Sequence, residues 1–430
     1  MNIIFFILIL ISFFFAGWQQ ISGGPFTPET MPMQVMSKAM VDSASGAVTL
    51  AIGLTGVMAL FLGLMKVAEE GGLLRIISRL IRPLMVRLFP DVPAESPAMG
   101  AMILNMSASA LGLGNAATPF GIRAMMELDK LNRQKGTATN AMALFLAINT
   151  AGITLLPTTV IAIRASAGSA NPAGILSTTL FASISATVIA IVAAKVYQRF
   201  SSVENASAHT PAAVDANQAP LETNDLEDAG QGYPLWVSAL ALCLLAAMVP
   251  LTVVYGTVVS PWVLPFIMLG FLTFGVIRKV RIYEVFVDGA KEGFQVAVRI
   301  IPFLVAILVA VGMLQASGAM DVMVSHLGRW TSMAGLPAEA LPMALMRPLS
   351  GSGSYGILAA TINNPAIGPD SYTGYLVSTL MGSSETTFYV LAVYFGAVQV
   401  RRVRHTLAAA LTADAAGILF SIIACRFFLM

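Results

Sequence analysis

A single carboxylate lies near the middle of an apolar run that is long enough to cross a lipid bilayer. Residues 374–398 read GYLVSTLMGSSETTFYVLAVYFGAV, and Glu385, in the polar stretch GSSETT, is their one charged residue. A carboxylate in hydrocarbon is costly, and acids that persist there usually face a ligand or ion pathway. Glu385 could accept hydrogen bonds from ligand hydroxyls, or it could carry a coupling proton.

Further polar residues interrupt apolar runs in both parts of the chain, and amides and hydroxyls suit a ligand such as a sugar, a base or an amino acid. The candidates for substrate binding are Asn105, Asn115, Asn149, Thr150, Arg347, Ser350, Ser352, Ser383, Ser384, Glu385 and Thr386. Small hydroxylated residues also mediate close helix packing in membranes, which remains the alternative for the serine and threonine positions.

Two further charged residues stand in apolar surroundings. Arg347 could pair with Glu385 or bind a ligand anion, and pairing is expected because an isolated charge inside a membrane is unfavourable. Asp414, in LAAALTADAAGILF, joins Glu385 as a candidate for ion coupling, and helix packing is the alternative role for Asp414.

The composition indicates which elements must position these residues. Of 430 residues, 57% are hydrophobic and 11% are charged, and the mean hydropathy is +0.80. Soluble proteins carry about 25% charged residues, so the sequence predicts an all-α polytopic membrane protein. About nine spanning helices are predicted from their apolar length. They are residues 2–18, 47–66, 140–162, 175–197, 234–254, 257–277, 298–316, 374–398 and 405–427.

The first of these segments needs a separate decision. Residues 2–18 lack a basic start and are followed by no clear cleavage site. We therefore expect a retained membrane helix rather than a cleaved signal peptide.

Two segments are apolar but contain too much glycine, serine and asparagine for a plain spanning helix. Residues 97–125 and 339–364 each show an apolar stretch, a small polar turn and a second apolar stretch. This pattern predicts a broken, re-entrant hairpin, whose turn must lie against protein or a water-filled cavity.

An amphipathic segment precedes each hairpin. In residues 71–90 the basic residues Arg75, Arg79 and Arg82 share one face, which predicts a helix lying in the membrane interface. Residues 319–335 are a weaker counterpart.

The chain divides into two similar halves. Residues 201–232 contain six acidic residues and no Lys or Arg, which predicts a flexible linker between a first domain, 1–200, and a second, 233–430. FLAINTAGITLLPTTVIA (145–162) aligns without gaps to YLVSTLMGSSETTFYVLA (375–392), which indicates an internal repeat.

The loop charges set an orientation for these repeats. Lys and Arg concentrate in residues 66–87, 123–135, 278–299 and 401–404, and placing all four regions in the cytoplasm makes the two repeats inverted. The same count places the linker in the cytoplasm and predicts a multi-pass membrane protein.

Inverted repeats with broken helices are typical of secondary transporters, whose substrates bind near the membrane midplane. The sequence therefore predicts a permease for a small polar solute, with coupling to protons or sodium and a homo-oligomer left open. A non-transporting membrane component that assembles with other envelope proteins is the alternative. No HExxH or GxSxG motif occurs, and Cys243 and Cys425 have no metal-ligand spacing. We expect no enzyme activity, cofactor, metal site or nucleic-acid partner.

The motifs also resemble known families. The first half is similar to the spore maturation protein A family in KVAEEGGLLRIISRLIRPLMVRLFP, PAMGAMILNMSASALGLGNAATPFGIRAM and AINTAGITLLPTTVIAIRASAGSANP. The second half resembles the spore maturation protein B family in GMLQASGAMD, MRPLSGSGSYG and MGSSETTFYVLAVYFGAV. The chain looks like a fusion of the two through the acidic linker.

Both halves look like members of the nucleoside-recognition, or Gate, domain family, which is shared with concentrative nucleoside transporters. In those transporters the substrate sits between two re-entrant hairpins and two partly unwound helices. By similarity these elements would be residues 97–125, 339–364, 140–162 and 374–398. The family label by itself identifies no cargo.

Overall fold

The computed structural model describes residues 2–23, 26–27, 30–112, 114–201 and 232–429, apart from some side chains within helices. Within these ranges the chain forms sixteen α-helices and no β-strand. The expected linker, 201–232, lies almost wholly outside the described residues. The predicted all-α fold class is confirmed for the described part of the chain.

The described part of the first half contains eight α-helices. They are α1 (Asn2–Ser22), α2 (Pro32–Glu70), α3 (Leu73–Leu88), α4 (Pro97–Leu111), α5 (Gly114–Leu131), α6 (Asn140–Ala151), α7 (Thr158–Ser166) and α8 (Ile175–Gln198). A short 3-10 helix, Pro172–Gly174, leads into α8.

The second half also contains eight helices. They are α9 (Leu235–Ile277), α10 (Ile282–Ala316), α11 (Ala319–Met333), α12 (Leu341–Met346), α13 (Gly351–Ile362), α14 (Tyr372–Gly382), α15 (Thr387–Ala397) and α16 (Thr406–Leu429). A 3-10 helix, Ala338–Ala340, precedes α12.

The two halves present the same series of elements. Each has an apolar helix (α1, α9), a long helix (α2, α10), a shorter helix (α3, α11) and a helical hairpin (α4–α5, α12–α13). An interrupted helix (α6–α7, α14–α15) and a final apolar helix (α8, α16) complete each series. Two of the predicted spans, 140–162 and 374–398, are these interrupted helices.

Local sequence explains where the interrupted helices start and stop. Thr139 and Ser371 are the N-caps of α6 and α14, accepting hydrogen bonds from Met142 N at 3.1 Å and Gly374 N at 3.0 Å. Helix α6 ends at Gly152, whose φ of +47° is in the left-handed region that favours glycine. The helical conformation resumes with α7, directly after Pro157.

The long helices differ from the predicted spans. Residues 234–254 and 257–277 form one continuous helix, α9, of 43 residues, because no polar turn separates the two apolar runs. At 1.5 Å per residue such a helix is about 65 Å long, roughly twice the hydrocarbon thickness. Residues 47–66 and 298–316 are likewise parts of the longer helices α2 and α10.

Four helices among the described residues are long and apolar enough to cross a membrane. They are Phe5–Ser22, Pro32–Glu70, Pro172–Gln198 and Thr406–Leu429. Together with the apolar composition they identify a multi-pass membrane protein.

Equivalent helices of the two halves pack on each other and run antiparallel. In α2 and α10, Gly63 lies against Phe286, while Gly312 lies against Ser43 at the other end of the pair. A Cβ built on Gly289 would lie 2.6 Å from Lys66 Cβ, so the glycines permit this close approach. Helices α8 and α16 also run antiparallel, with Tyr197 near Thr412 and Phe181 near Phe428.

Candidate functional site

A cavity of about 950 Å³ lies where the two halves meet. Both interrupted helices, both hairpins and the long helices α2 and α10 contribute to its wall. Seven of the residues predicted from sequence line it, namely Asn149, Arg347, Ser350, Ser352, Ser384, Glu385 and Thr386. Its volume falls in the range of about 300–1,000 Å³ that is usual for small-molecule sites.

The two helix interruptions contact each other at the cavity. The main-chain N–H of Glu385 donates to Thr150 O at 2.9 Å, which joins the second interruption to the end of α6. A Cβ on Gly152 would lie 3.1 Å from Glu385 Cγ. The non-helical backbone that membrane spans normally avoid is thus satisfied by the opposite half.

Each interruption is also bonded to the hairpin of its own half. Leu155 N donates to Ala110 O at 2.8 Å, and Phe388 N donates to Pro348 O at 3.0 Å. Gly112, at the turn between α4 and α5, has φ +78°, and a Cβ there would lie 2.7 Å from Leu156 O. A side chain at Gly112 would therefore separate the first hairpin from the first interruption.

Arg347 holds the second interruption in place. Its Nη1 donates to Thr386 Oγ1 at 3.2 Å, and its Nη2 donates to the main-chain oxygen of Ser384. The same Nη2 lies 3.7 Å from Glu385 Oε2, so the pairing expected from the sequence is present. The guanidinium therefore both satisfies an unwound carbonyl and balances the charge of Glu385.

Glu385 retains access to the cavity despite this ion pair. The Glu385 side chain is 52% exposed, against 9% for Arg347. A carboxylate has about four lone-pair sites, and the distant ion pair leaves several of them able to accept from a ligand.

Tyr394 links the two halves on the opposite wall. Its hydroxyl accepts from Asn105 Nδ2 at 3.1 Å and donates to Asn149 Oδ1 at 3.5 Å. Its ring stacks on Phe145, with ring centroids 6.1 Å apart. Asn149 Nδ2 also donates to Phe145 O at 2.9 Å. Hydrogen bonds at both atoms of the amide therefore fix the orientation of the Asn149 side chain.

The remaining predicted residues are placed elsewhere. Asn105, Thr150, Ser383 and Asp414 are buried and do not contribute to the lining of this cavity. Asn115 lies in the first turn of α5, and its side chain is outside the described part of the structure. Ser383 Oγ is instead 3.3 Å from Ser421 Oγ, and Asp414 accepts from Thr387 Oγ1 at 2.7 Å.

The sequence analysis missed a charged group on the wall formed by α2 and α10. Lys66 Nζ lies 3.3 Å from Glu69 and 4.0 Å from Glu292, and all three residues line the cavity. The available signal was the i, i+3 spacing of Lys66 and Glu69 at the end of an otherwise apolar helix. Glu292 carried no local signal, because only the packing of α10 on α2 brings it there.

The described residues contain no group of three or more His, Cys, Asp or Glu side chains placed to hold a metal ion. Among the described residues, the lining of this cavity offers hydroxyls, the Asn149 amide, two cations, three carboxylates and four aromatic rings. It can hydrogen-bond, stack and pair charges with a small polar molecule.

A family profile and two curated proteins match parts of this sequence. The family profile described as Gate, nucleoside recognition, matches residues 51–202 and 297–401. Spore maturation protein A of Bacillus subtilis (strain 168) is 45% identical over 160 residues, which are 37% of this chain and 82% of that protein. Spore maturation protein B of the same organism is also 45% identical over 160 residues, 37% of this chain and 89% of that protein.

Among solved structures, CNTnw in its intermediate 3 state aligns over 98% of this chain and 92% of that chain, with 14% identity and a TM-score of 0.33. The family profile covers more than half of the sequence, and the two curated relatives are matched over most of their length. The chain is therefore a multi-pass membrane protein of the Gate, or nucleoside-recognition, family.

Proposed function

We propose that the chain is a permease that moves a small polar solute, nucleoside-like or of similar size, through a midplane site between two inverted repeats. The observation that carries the proposal is the cavity in which two helix interruptions, one from each half, meet beside Glu385. Transporters built from inverted repeats bind substrate and coupling ions at such interruptions. We propose no enzyme activity for the chain.

The antiparallel packing of equivalent helices supports the inverted arrangement. Helices α2 and α10 run in opposite directions, as do α8 and α16. Together with the basic loops this favours an orientation in the bacterial inner membrane with the acidic linker in the cytoplasm.

The helix ends at the cavity suit a polar, hydroxylated solute. The C-terminal ends of α6 and α14 present carbonyls, and the N-terminal ends of α7 and α15 present N–H groups. Glu385 would accept from ligand hydroxyls, while the rings of Tyr355 and Tyr389 could stack on a planar group. Ser350 and Ser352 would supply adaptable hydroxyls from the second hairpin.

The proposal can be tested with purified protein and a panel of nucleosides, nucleobases, sugars, amino acids and dipicolinate. Each compound is added with and without sodium and at two pH values, and the thermal unfolding temperature is measured. A compound that binds only the folded state raises that temperature by mass action. A compound that stabilises the protein is then tested for uptake into proteoliposomes.

Glu385→Gln is the decisive variant for this test, because it keeps the shape of the side chain and removes its charge. We expect the affinity for a stabilising compound, obtained from the concentration dependence of the unfolding temperature, and its uptake to fall at least about tenfold, since a lost charged hydrogen bond is worth about 1.5–3 kcal/mol. Glu95→Gln is the matched control, because Glu95 is 89% exposed and lies outside the cavity. Equal ligand stabilisation and uptake in Glu385→Gln and Glu95→Gln would contradict a role for the carboxylate in binding.

A second candidate function is a non-transporting membrane component that assembles with or regulates other envelope proteins. The observation in its favour is that both curated relatives are named for spore maturation and neither name mentions transport. A component of this kind should bind no compound in the panel, and it should tolerate Glu385→Gln without loss of its assembly role.

A further inference from the structure

Asp414 is a buried acid that the proposed binding site does not use. It lies on α16, it is 8% exposed, and its Oδ2 accepts a hydrogen bond from Thr387 Oγ1 at 2.7 Å. It does not line the large cavity. A carboxylate kept inside a membrane protein away from the ligand cavity calls for its own explanation.

Arg347 lines both the cavity and a second cleft, which Asp414 also lines. On the cavity side, Arg347 Nη2 is 3.7 Å from Glu385 Oε2. On the other side, Arg347 and Asp414 line one narrow cleft together with Ser383 and Ser384. The Nε of Arg347 is buried and has no hydrogen-bond partner, and Arg347 as a whole is 7% exposed. The guanidinium therefore has a donor that its present contacts leave unused.

Two consecutive residues connect the two sites through the backbone. Thr386 accepts from Arg347 on the cavity side, and Thr387 donates to Asp414 on the other side. Both residues belong to the end of the second helix interruption, where α15 begins. A change of charge at Asp414 therefore acts on the segment that also carries Glu385.

Few other ionisable groups face Asp414. Helices α6, α8, α14 and α15 pack against α16, and α6 carries no ionisable side chain. The ionisable residues of the other three helices are Lys195, Tyr197, Tyr372, Tyr375, Tyr389 and Tyr394, and α16 itself adds Cys425 and Arg426 with His405 just before it. Lys195 is at the far end of α8, where it donates to Leu88 O at 3.2 Å. Arg347 is the cation that shares the cleft with Asp414.

We propose that Asp414 is a proton-binding site that is linked to the solute cavity through Arg347. The proposal rests on the proposed function in using the same cavity, and it adds the coupling ion. A proton fits better than a metal cation, because the guanidinium in the same cleft repels a second fixed positive charge.

The linkage follows from the two carboxylates competing for one arginine. An ionised Asp414 attracts the guanidinium of Arg347. This weakens the ion pair between Arg347 and Glu385 and leaves the Glu385 carboxylate free to bind a ligand. When Asp414 takes up a proton, Glu385 is the remaining anionic partner of Arg347. Linkage is reciprocal, so a ligand at Glu385 must favour release of the proton from Asp414.

The proton site itself is tested without any solute by infrared difference spectroscopy of the purified full-length protein between high and low pH. We expect a protonated carboxyl C=O band that is absent from Asp414→Asn and retained in Asp414→Glu and in Glu385→Gln. Thr387→Val should shift the frequency of that band, because it removes the hydrogen bond to the carboxyl group. A band unchanged in Asp414→Asn, or lost in Glu385→Gln instead, would overturn the proposal.

The link to the cavity is tested with single reporter cysteines in a background of Cys243→Ser and Cys425→Ala. Ser352→Cys reports on the second hairpin beside Arg347, and Ser109→Cys reports on the first hairpin of the same cavity. The ratio of their labelling rates by a small methanethiosulfonate reagent largely removes the intrinsic pH dependence of the thiols. We expect this ratio to change at least threefold between high and low pH, and to be flat in Asp414→Asn.

An unchanged pH profile of this ratio in Asp414→Asn would overturn the linkage. Because neither measurement uses a solute, this failure is distinct from a failure of the permease proposal, which depends on binding and uptake. If Asp414→Asn does not yield folded protein, the proton site is tested by the band shift in Thr387→Val. The linkage is then tested by the pH profile of the labelling ratio in Asp414→Glu.

Discussion

At the scale of single residues, the site depends on two side chains that differ in how visible they are in the sequence. Glu385 is conspicuous because a charge in an apolar run has few uses other than a ligand or ion site. Tyr394 is one of three aromatic residues in YVLAVYFGAV, and its role depends on Asn105 and Asn149, which are contributed by the other half. Its hydroxyl bridges partners that are 289 and 245 positions away.

Removing the Tyr394 hydroxyl should loosen this bridge without changing the packing of the ring. We expect Tyr394→Phe to lower the free energy of unfolding by about 1–3 kcal/mol, because it leaves buried amide groups of Asn105 and Asn149 short of a partner. Chemical unfolding in detergent measures the difference. Tyr389→Phe is the comparison, because the Tyr389 side chain is exposed at 53%. An equal effect of both substitutions would contradict the bridge.

The space for Tyr394 is provided by a glycine of the first hairpin. A Cβ built on Gly121 would lie 2.1 Å from the Tyr394 hydroxyl oxygen, whereas a Cβ on Gly396 meets nothing within 4 Å. We expect Gly121→Ala to destabilise the fold by about 1–3 kcal/mol through overpacking and to weaken any ligand binding. Gly396→Ala, in a helix, should be neutral or stabilising by up to about 1 kcal/mol. Thermal unfolding of both variants gives the comparison, and the prediction is wrong if Gly121→Ala behaves like Gly396→Ala.

At the scale of elements, the broken segments were predictable because glycine, serine, threonine and asparagine interrupt apolar runs. The structure places a turn inside 97–125, a predicted broken hairpin. It also interrupts 140–162 and 374–398, which are predicted as spans and, from the family resemblance, as partly unwound helices. Helix α9 shows the limit of the same signal. Two apolar runs that each fit one bilayer thickness can be one helix when no polar turn lies between them.

The turn of the first hairpin gives a test at this scale. Gly112 and Gly168 have similar φ values, +78° and +75°, but Gly112 is crowded by Leu156 O while Gly168 has open space. An alanine at either position incurs the left-handed backbone penalty of about 1–2 kcal/mol. We expect Gly112→Ala to lose about 1–3 kcal/mol more, because its Cβ meets backbone that cannot move aside freely. Unfolding experiments on both variants isolate the contact, and equal losses would show that the hairpin turn is not held against the interruption.

At the scale of the whole molecule, the two halves are tied together away from the cavity by Arg164. This arginine is fully buried, and it donates to Asp370 Oδ1 at 3.0 Å and to Pro369 O at 2.6 Å from the other half. Its guanidinium also lies over the Tyr375 ring, 4.2 Å from the centroid. The sequence analysis did not select Arg164, because its partners are about 205 positions further along the chain.

Loss of this tie should be strongly destabilising and asymmetric. We expect Arg164→Met to lower the free energy of unfolding by about 3–5 kcal/mol, because it leaves several acceptors, among them Pro172 O and Pro369 O, without their donor. Asp370→Asn should cost less than this, because the amide oxygen can still accept from Arg164 and the Asp370 side chain is 39% exposed to solvent. The two losses are compared by unfolding in detergent. A larger loss for Asp370→Asn than for Arg164→Met would contradict the account.

The sequence by itself determined the class of the protein, its family, and most of the elements that form the cavity. These follow from properties that are local along the chain, such as apolar length, loop charge, capping residues and the polar interruptions of apolar runs. The family assignment is confirmed, whereas the roles of the individual site residues remain predictions. Arg347 belongs to the second hairpin and Glu385 to the interrupted helix that follows it, 38 positions further along the chain. The sequence predicted that these two residues could pair.

Only the tertiary structure decided which polar residues share the cavity and which stabilise the wall behind it. Lys66 and Glu292 come together because glycines let α2 and α10 approach closely. Asp414 lies outside the cavity and shares a separate cleft with Arg347, which also contacts Glu385. Side-chain position depends on how helices distant in sequence pack, and packing is set by the shapes of both partners together. A pattern along the sequence describes one helix at a time, so it does not contain the shape of the helix that packs against it.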